Sequence, residues 1–203
     1  ATIVETGTHA TRVSSFAANS YPNALFRESD TGILLYSNGV SWLTVAGRVE
    51  DTHANRLTTW PSVQFSVGTL FYETNRTAVY VVQNATGTVN TAGTAVTWVS
   101  GDHFINTGSG FNATQWPAGT TMTINGVAYS LASVTNSTTA TLATSAGVQA
   151  GVSYTVSSGR WVYLSGQYFA ALASLPTDLG ENDAGFLFFE NAAYYHQLQR
   201  TAS

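Results

Sequence analysis

Leu25-Phe26-Arg27-Glu28, Leu70-Phe71-Tyr72-Glu73 and Leu187-Phe188-Phe189-Glu190 all read L-F-x-E. Each follows a proline (Pro22, Pro61, Pro176), and Gly68 and Gly185 stand two residues ahead of the second and third leucines. A second pattern, W-x4-G, runs from Trp42 to Gly47 and again from Trp161 to Gly166. Self-similarity of this kind marks a supersecondary unit that has been stacked. Such chains build shafts, shells or binding surfaces more readily than a single catalytic pocket.

Outward from these motifs, the chain divides into short runs of β-formers separated by turn residues. In the first unit, Leu25-Phe26 leads through Asp30-Thr31-Gly32 to Ile33–Tyr36, and Ser37-Asn38-Gly39 turns into the Trp42 strand. The second unit repeats this at Gly68–Glu73 and Ala78–Val82, but its tryptophan strand arrives only at Gly159–Leu164. Exposed hairpin tips tolerate inserted domains, so the intervening stretch reads as an insertion. Within it Asn125-Gly126 joins Thr121–Ile124 to Val127–Val134, a type I′ hairpin signal. The third unit reaches Leu187–Glu190 and a return strand at Tyr194–Leu198, with no tryptophan strand after it, which predicts an edge completed by another subunit.

The expected fold is all-β: repeated β-meander units carrying a small inserted β-barrel or sandwich of four or five strands. Its divisions are an N-terminal arm at 1–15, repeats 1 and 2 at 16–96, the insert at 97–157, and at 158–203 the end of repeat 2 with a truncated repeat 3. Helix is expected to be nearly absent, with short turns at 9–20 and 167–175 at most.

Composition narrows the function classes. Charged residues make up 9% of the chain, well under the roughly 25% of ordinary globular proteins. The hydrophobic share of 44% excludes disorder by composition. A polar but uncharged surface suits a particle-borne protein packed against copies of itself. All seven basic residues are arginine, the net charge is −4, and no basic stripe for nucleic acid is present. There is no cysteine, which removes disulfides and thiolate metal sites. No apolar run has membrane-spanning length and no signal peptide opens the chain. The start at Ala1, without methionine, fits N-terminal trimming.

The run Phe26–Tyr36 with Trp42–Gly47 resembles the repeats of tailed-bacteriophage tail-fibre and appendage proteins. Leu175–Glu190 and Tyr195–Gln199 resemble a companion segment, and Trp116–Tyr129 resembles a small β module of phage structural proteins. Asn75-Arg76 departs from the usual pattern at that turn. The resemblance implies a structural virion protein, assembled as a homotrimer with other virion proteins, and supplies no catalytic residues. Alternatives in other classes are a capsid-decoration or filament-forming protein, and a carbohydrate-binding adhesin contacting cell-surface glycan.

Candidate residues follow from chemistry. No catalytic constellation, metal set or cofactor motif is apparent. Glu50-Asp51-x-His53 reads as a solvated loop. Asp178, Glu181 and Asp183 lack the alternation of a calcium loop. Glu28, Glu73 and Glu190, at equivalent repeat positions, point to a turn hydrogen bond or an inter-subunit pair with arginine rather than to glycosidase acids. Trp98, Asp102, His103, Phe104, Phe111 and Trp116 form the candidate ligand-binding cluster at the mouth of the insert. Aromatic faces beside hydrogen-bonding groups stack on sugars, although the favoured reading places Trp98 and Trp116 in the insert's core and Asp102-His103 in an exposed loop. Phe188, Phe189, Tyr194 and Tyr195 are the candidate assembly residues, and Trp42 and Trp161 are expected in the repeat core.

Overall fold

The computed structural model describes residues 4–104, 116–166, 168–170, 187–190 and 194–197. The fold is all-β, mostly strand with a few short helices. In the first unit β1 (Val4–Gly7) leads through α1 (His9–Ser15) to β2 (Leu25–Glu28), then β3 (Leu34–Ser37) and β4 (Trp42–Ala46). The sheet order is β1-β2-β3-β4, with β1 parallel to β2 and the rest antiparallel. The first unit is thus a strand–helix–strand element feeding a meander. Of the segment 1–15 expected as an N-terminal arm, residues 4–15 supply this strand and helix.

Gly47 alone separates β4 from β5 (Arg48–Asp51), where the pattern begins again. Its φ is +93°, and a Cβ there would lie 2.8 Å from the Gly32 carbonyl oxygen, so only glycine makes this turn. α2 (His53–Thr58) connects β5 to the parallel β6 (Leu70–Glu73), which pairs with β7 (Ala78–Ala92). The registers repeat: Val4 pairs with Leu25 and Gly7 with Glu28, as Arg48 pairs with Leu70 and Asp51 with Glu73.

The two helices correct the expectation of near-absent helix and of a solvated loop around His53, which is only 2% exposed. Thr8 and Thr52 are N-caps, accepting from the backbone N–H of Thr11 and Asn55. At seven and six residues neither helix would survive alone. Burial of His9 with Arg12, and of His53, Arg56 and Leu57, holds them.

β7 does not stop at the meander. It continues as one 15-residue strand into the insert, through β8 (Ala95–Gly101), β9 (Thr121–Ile124), β10 (Val127–Val134) and β11 (Thr139–Leu142) to β12 (Val148–Gly166), which returns beside β7. The order β12-β9-β10-β11-β8-β7, with β12 also paired to β7, closes a six-stranded barrel. This exceeds the expected four or five strands because β7 and β12 serve both bodies. Asn125 and Gly126, at φ +49° and +79°, make the β9–β10 turn.

Two cores result. One, around Phe26, Leu35, Trp42, Phe71, Tyr80 and Trp161, spans both units. The other, around Val89, Phe104, Trp116, Met122, Leu131 and Tyr154, fills the barrel. The W-x4-G tryptophans are indeed equivalent: Trp42 Nε1 donates to the Phe16 carbonyl and Trp161 Nε1 to that of Trp60, both at 2.8 Å. In the third unit β13 (Tyr168–Ala170) runs parallel to β14 (Leu187–Glu190), and β14 antiparallel to β15 (Tyr194–Gln197), repeating the unit's strand directions. Among the described residues no helix is long and apolar enough to cross a membrane.

Candidate functional site

The glutamate of L-F-x-E lies inside each of the first two units. Glu28 and Glu73 are fully buried, because alternation along β2 and β6 turns them with Phe26 and Phe71 toward the helix. Helical spacing then supplies their partners, since positions three apart share a face. His9 Nδ1 lies 2.9 Å from Glu28 Oε1, to which Arg12 Nε donates at 2.7 Å. His53 Nδ1 and Arg56 Nε meet Glu73 Oε1 at 2.8 and 2.6 Å. Thr31 Oγ1 donates to the other Glu28 oxygen at 2.5 Å.

Burial opposes the charge on both carboxylates, yet their partners outweigh it. His9, Thr31 and Arg12 hold Glu28 below its ordinary pKa, and the Arg56 charge with His53 does so for Glu73. The helix starts are tied down in parallel: the His9 N–H donates to Asp30 and the His53 N–H to Asn75. Asn75, the departure noted at the turn, therefore keeps the acceptor while losing the charge. The Arg56 guanidinium also stacks 3.7 Å over the Tyr80 ring.

The first knot reaches into the second unit. His9 Nε2 lies 2.8 Å from Gln64 Oε1, and an Arg12 terminal nitrogen donates to the Gln64 carbonyl at 3.3 Å. The His9 ring stacks on Phe65 at 4.6 Å and meets Trp60 edge-on at 5.4 Å. A second tie joins Thr44 to Ser66 and Thr69. Beside this joint His9, Val13, Asp30, Trp60 and Gln64 line a cleft of about 410 Å³. Both nitrogens of His9 and both oxygens of Glu28 are engaged, so the arrangement holds two units together.

The signal was present in the sequence. Thr8-His9-Ala10-Thr11-Arg12 and Thr52-His53-Ala54-Asn55-Arg56 repeat T-H-A-x-R ahead of L-F-x-E. A search for metal-ligand spacing passes over it, because its partner carboxylate lies 16 or 17 residues further along. Residues 168–186 contain neither His nor Arg, so that stretch of the third unit lacks the motif.

The candidate ligand cluster of the insert disperses. Phe104 and Trp116 are core side chains, 0% and 1% exposed, packed with Tyr154. Asp102 is a buried anchor rather than part of an exposed loop: it accepts from Arg160 and from the Thr86 N–H, while its carbonyl accepts from the Tyr154 hydroxyl. Only Trp98 and His103 meet nearer the surface, stacked at 4.1 Å. The correction has a physical cause: Phe104 and Trp116 are large apolar side chains that the barrel core buries with Tyr154. Phe111, and the loop with Asp178, Glu181 and Asp183, lie outside the described residues. Phe188 and Phe189 sit on β14 opposite His196 and Tyr195, and Tyr194 opposite Glu190; their side chains also lie outside the description.

Among the described residues no group of three His, Asp or Glu is placed to hold a metal ion. Comparison with known families, with curated proteins and with solved structures finds no match.

Proposed function

We propose that this chain is a structural component of a tailed-phage particle, a tail-fibre or appendage protein that assembles as a homotrimer through its repeat units. The observation that carries the reading is the joint at His9, Arg12, Glu28 and Gln64. A buried charged knot in one unit completes its hydrogen bonding on the next, so the units are built to be placed in series. A near-uncharged, Arg-only composition and the tail-fibre resemblance of the repeats add to it. In this reading the chemistry is assembly, and the barrel is a side module held on a two-stranded stalk whose outer wall contacts other virion proteins or the host surface.

The test is immunogold labelling of particles made by the virus encoding the chain, with antibody raised against the purified protein. Gold on tail appendages supports the proposal. Gold on the capsid moves the chain to a decoration role, and intact particles without gold refute it.

A further inference from the structure

We infer that the outer faces of the meander sheets are the surface through which copies of this chain bind one another. An antiparallel sheet with one face on a core normally presents polar side chains on the other. Here the alternation is reversed. The inner face holds Glu28 and Ser37, or Glu73, among its apolar residues, whereas the outer positions of the meander strands are mostly apolar, with the exposed Arg48–Glu50 pair on the β5 edge beside Leu70 and Tyr72.

In the first unit the outer positions are Leu25 and Arg27 on β2, Leu34 and Tyr36 on β3, and Leu43 and Val45 on β4. In the second they are Leu70, Tyr72, Val79, Val81, Val162 and Leu164. Register joins them into rows: Leu25 opposes Tyr36 and Tyr36 opposes Leu43, as Leu70 opposes Val81 and Val81 opposes Val162. None of these side chains belongs to either described core.

A shared irregularity sharpens the point. The β3–β4 ladder slips between Leu34 and Leu35, leaving Val45 unpaired, and the β7–β12 ladder slips at the same place, leaving Leu164 unpaired. Bulges re-aim a side chain at a defined site. These two re-aimed residues are 53% and 57% exposed.

The occupant is a second copy of the chain. Three strands of four residues cover roughly 200 Å² per sheet from standard spacings. Two such faces make roughly half of the ~800 Å² that each partner gives to a stable interface. Leu187 and Phe189 hold the same motif positions in the sequence of the third unit as Leu70 and Tyr72 in the second. Charge does not oppose the contact: Arg27 is the charged residue among the twelve outer positions named, and at the β5 edge Arg48 is neutralised by Glu50 at 2.7 Å and lies over the Tyr72 ring. A partner carrying the same spacing of apolar rows matches it, and a symmetric assembly brings identical residues together near its axis.

The inference rests on the self-assembly through repeat units proposed above and names its surface, while the virion location fails separately from it. The chain contains no cysteine, so Val45→Cys, Leu164→Cys and a barrel control, Val148→Cys at an 88% exposed position, can each be treated with a short bis-maleimide. We expect the unmodified chain to run as an oligomer by light scattering, with cross-linking at Val45→Cys or Leu164→Cys and none at Val148→Cys. Val45→Asp with Leu164→Asp should give a monomer whose circular dichroism is unchanged; if that variant unfolds, the cross-linking pattern decides. A monomeric parent chain at tens of micromolar, or cross-linking at the barrel control alone, overturns the inference whatever the labelling of particles shows.

Discussion

His9 on the first unit's helix and Gln64 on the second unit's 3₁₀ turn (Ser62–Gln64) lie 2.8 Å apart, closing a chain of contacts from Glu28 through the imidazole to the neighbouring unit. Gln64→Ala should cost about 1 kcal/mol and loosen the first unit relative to the second. Hydrogen exchange at the α1 amides is the readout. Unchanged protection there would mean the joint is held by the Phe65 stack, the Arg12 bond to the Gln64 backbone carbonyl and the Thr44 tie without the Gln64 side chain.

The buried carboxylates make the fold acid-sensitive. Glu28 and Glu73 have native pKa values depressed below 4.5, so the folded state binds their protons less readily than the unfolded chain. Their stabilising contribution is complete above about pH 4.5 and is lost as the pH falls through the depressed native values. Asp51, held below 3.8 by Trp60, Asn55 and the Thr52 N–H despite its burial, acts in the same direction. Melting temperature should therefore be flat from neutral pH to about 5 and fall steeply below it. A Tm that rises on acidification to pH 4 contradicts this sign.

Breaking a knot should be worse than replacing it. Glu73→Ala leaves Arg56 buried without its counter-charge and should cost on the order of 3–5 kcal/mol by denaturant unfolding. Glu73→Gln keeps the shape and one acceptor and should cost less. Equal losses would show that the charge accounts for the whole effect and that the retained acceptor contributes nothing.

Trp116→Ala distinguishes a core plug from a sugar platform. The side chain is 1% exposed and its Nε1 donates to the Gly159 carbonyl, so the substitution should remove about 3–5 kcal/mol and lower the melting temperature. An unchanged melt would return Trp116 to the surface.

Gly101→Ala tests the base of the barrel. Its φ is +87°, and a Cβ there would stand 2.5 Å from the Gly87 Cα, so the β7–β8 ladder must part locally. We expect a loss of at least about 1–3 kcal/mol, seen as a lower unfolding midpoint. A midpoint within error of the parent would mean that the strands part freely.

The sequence by itself determined the repeated unit, the strands carrying L-F-x-E and W-x4-G, and the β9–β10 hairpin. These rest on local signals: alternation, Asn-Gly turns and aromatic strand formers. It did not disclose β1 and β5, because Val-Glu-Thr-Gly and Arg-Val-Glu-Asp are polar runs of low strand propensity, made into strands only by a parallel neighbour. The same holds for the helices, which are too short to announce themselves and exist because Glu28 and Glu73 bury their His and Arg. Only the tertiary structure decided that those glutamates face inward while Leu25, Tyr36 and Val81 face out. The residues alternate either way, and which side is core depends on where the helix packs. The barrel gave the same lesson in reverse: Trp98, Asp102 and Trp116 read alike in the chain, yet closing six strands buried Asp102 and Trp116 and left Trp98 near the rim.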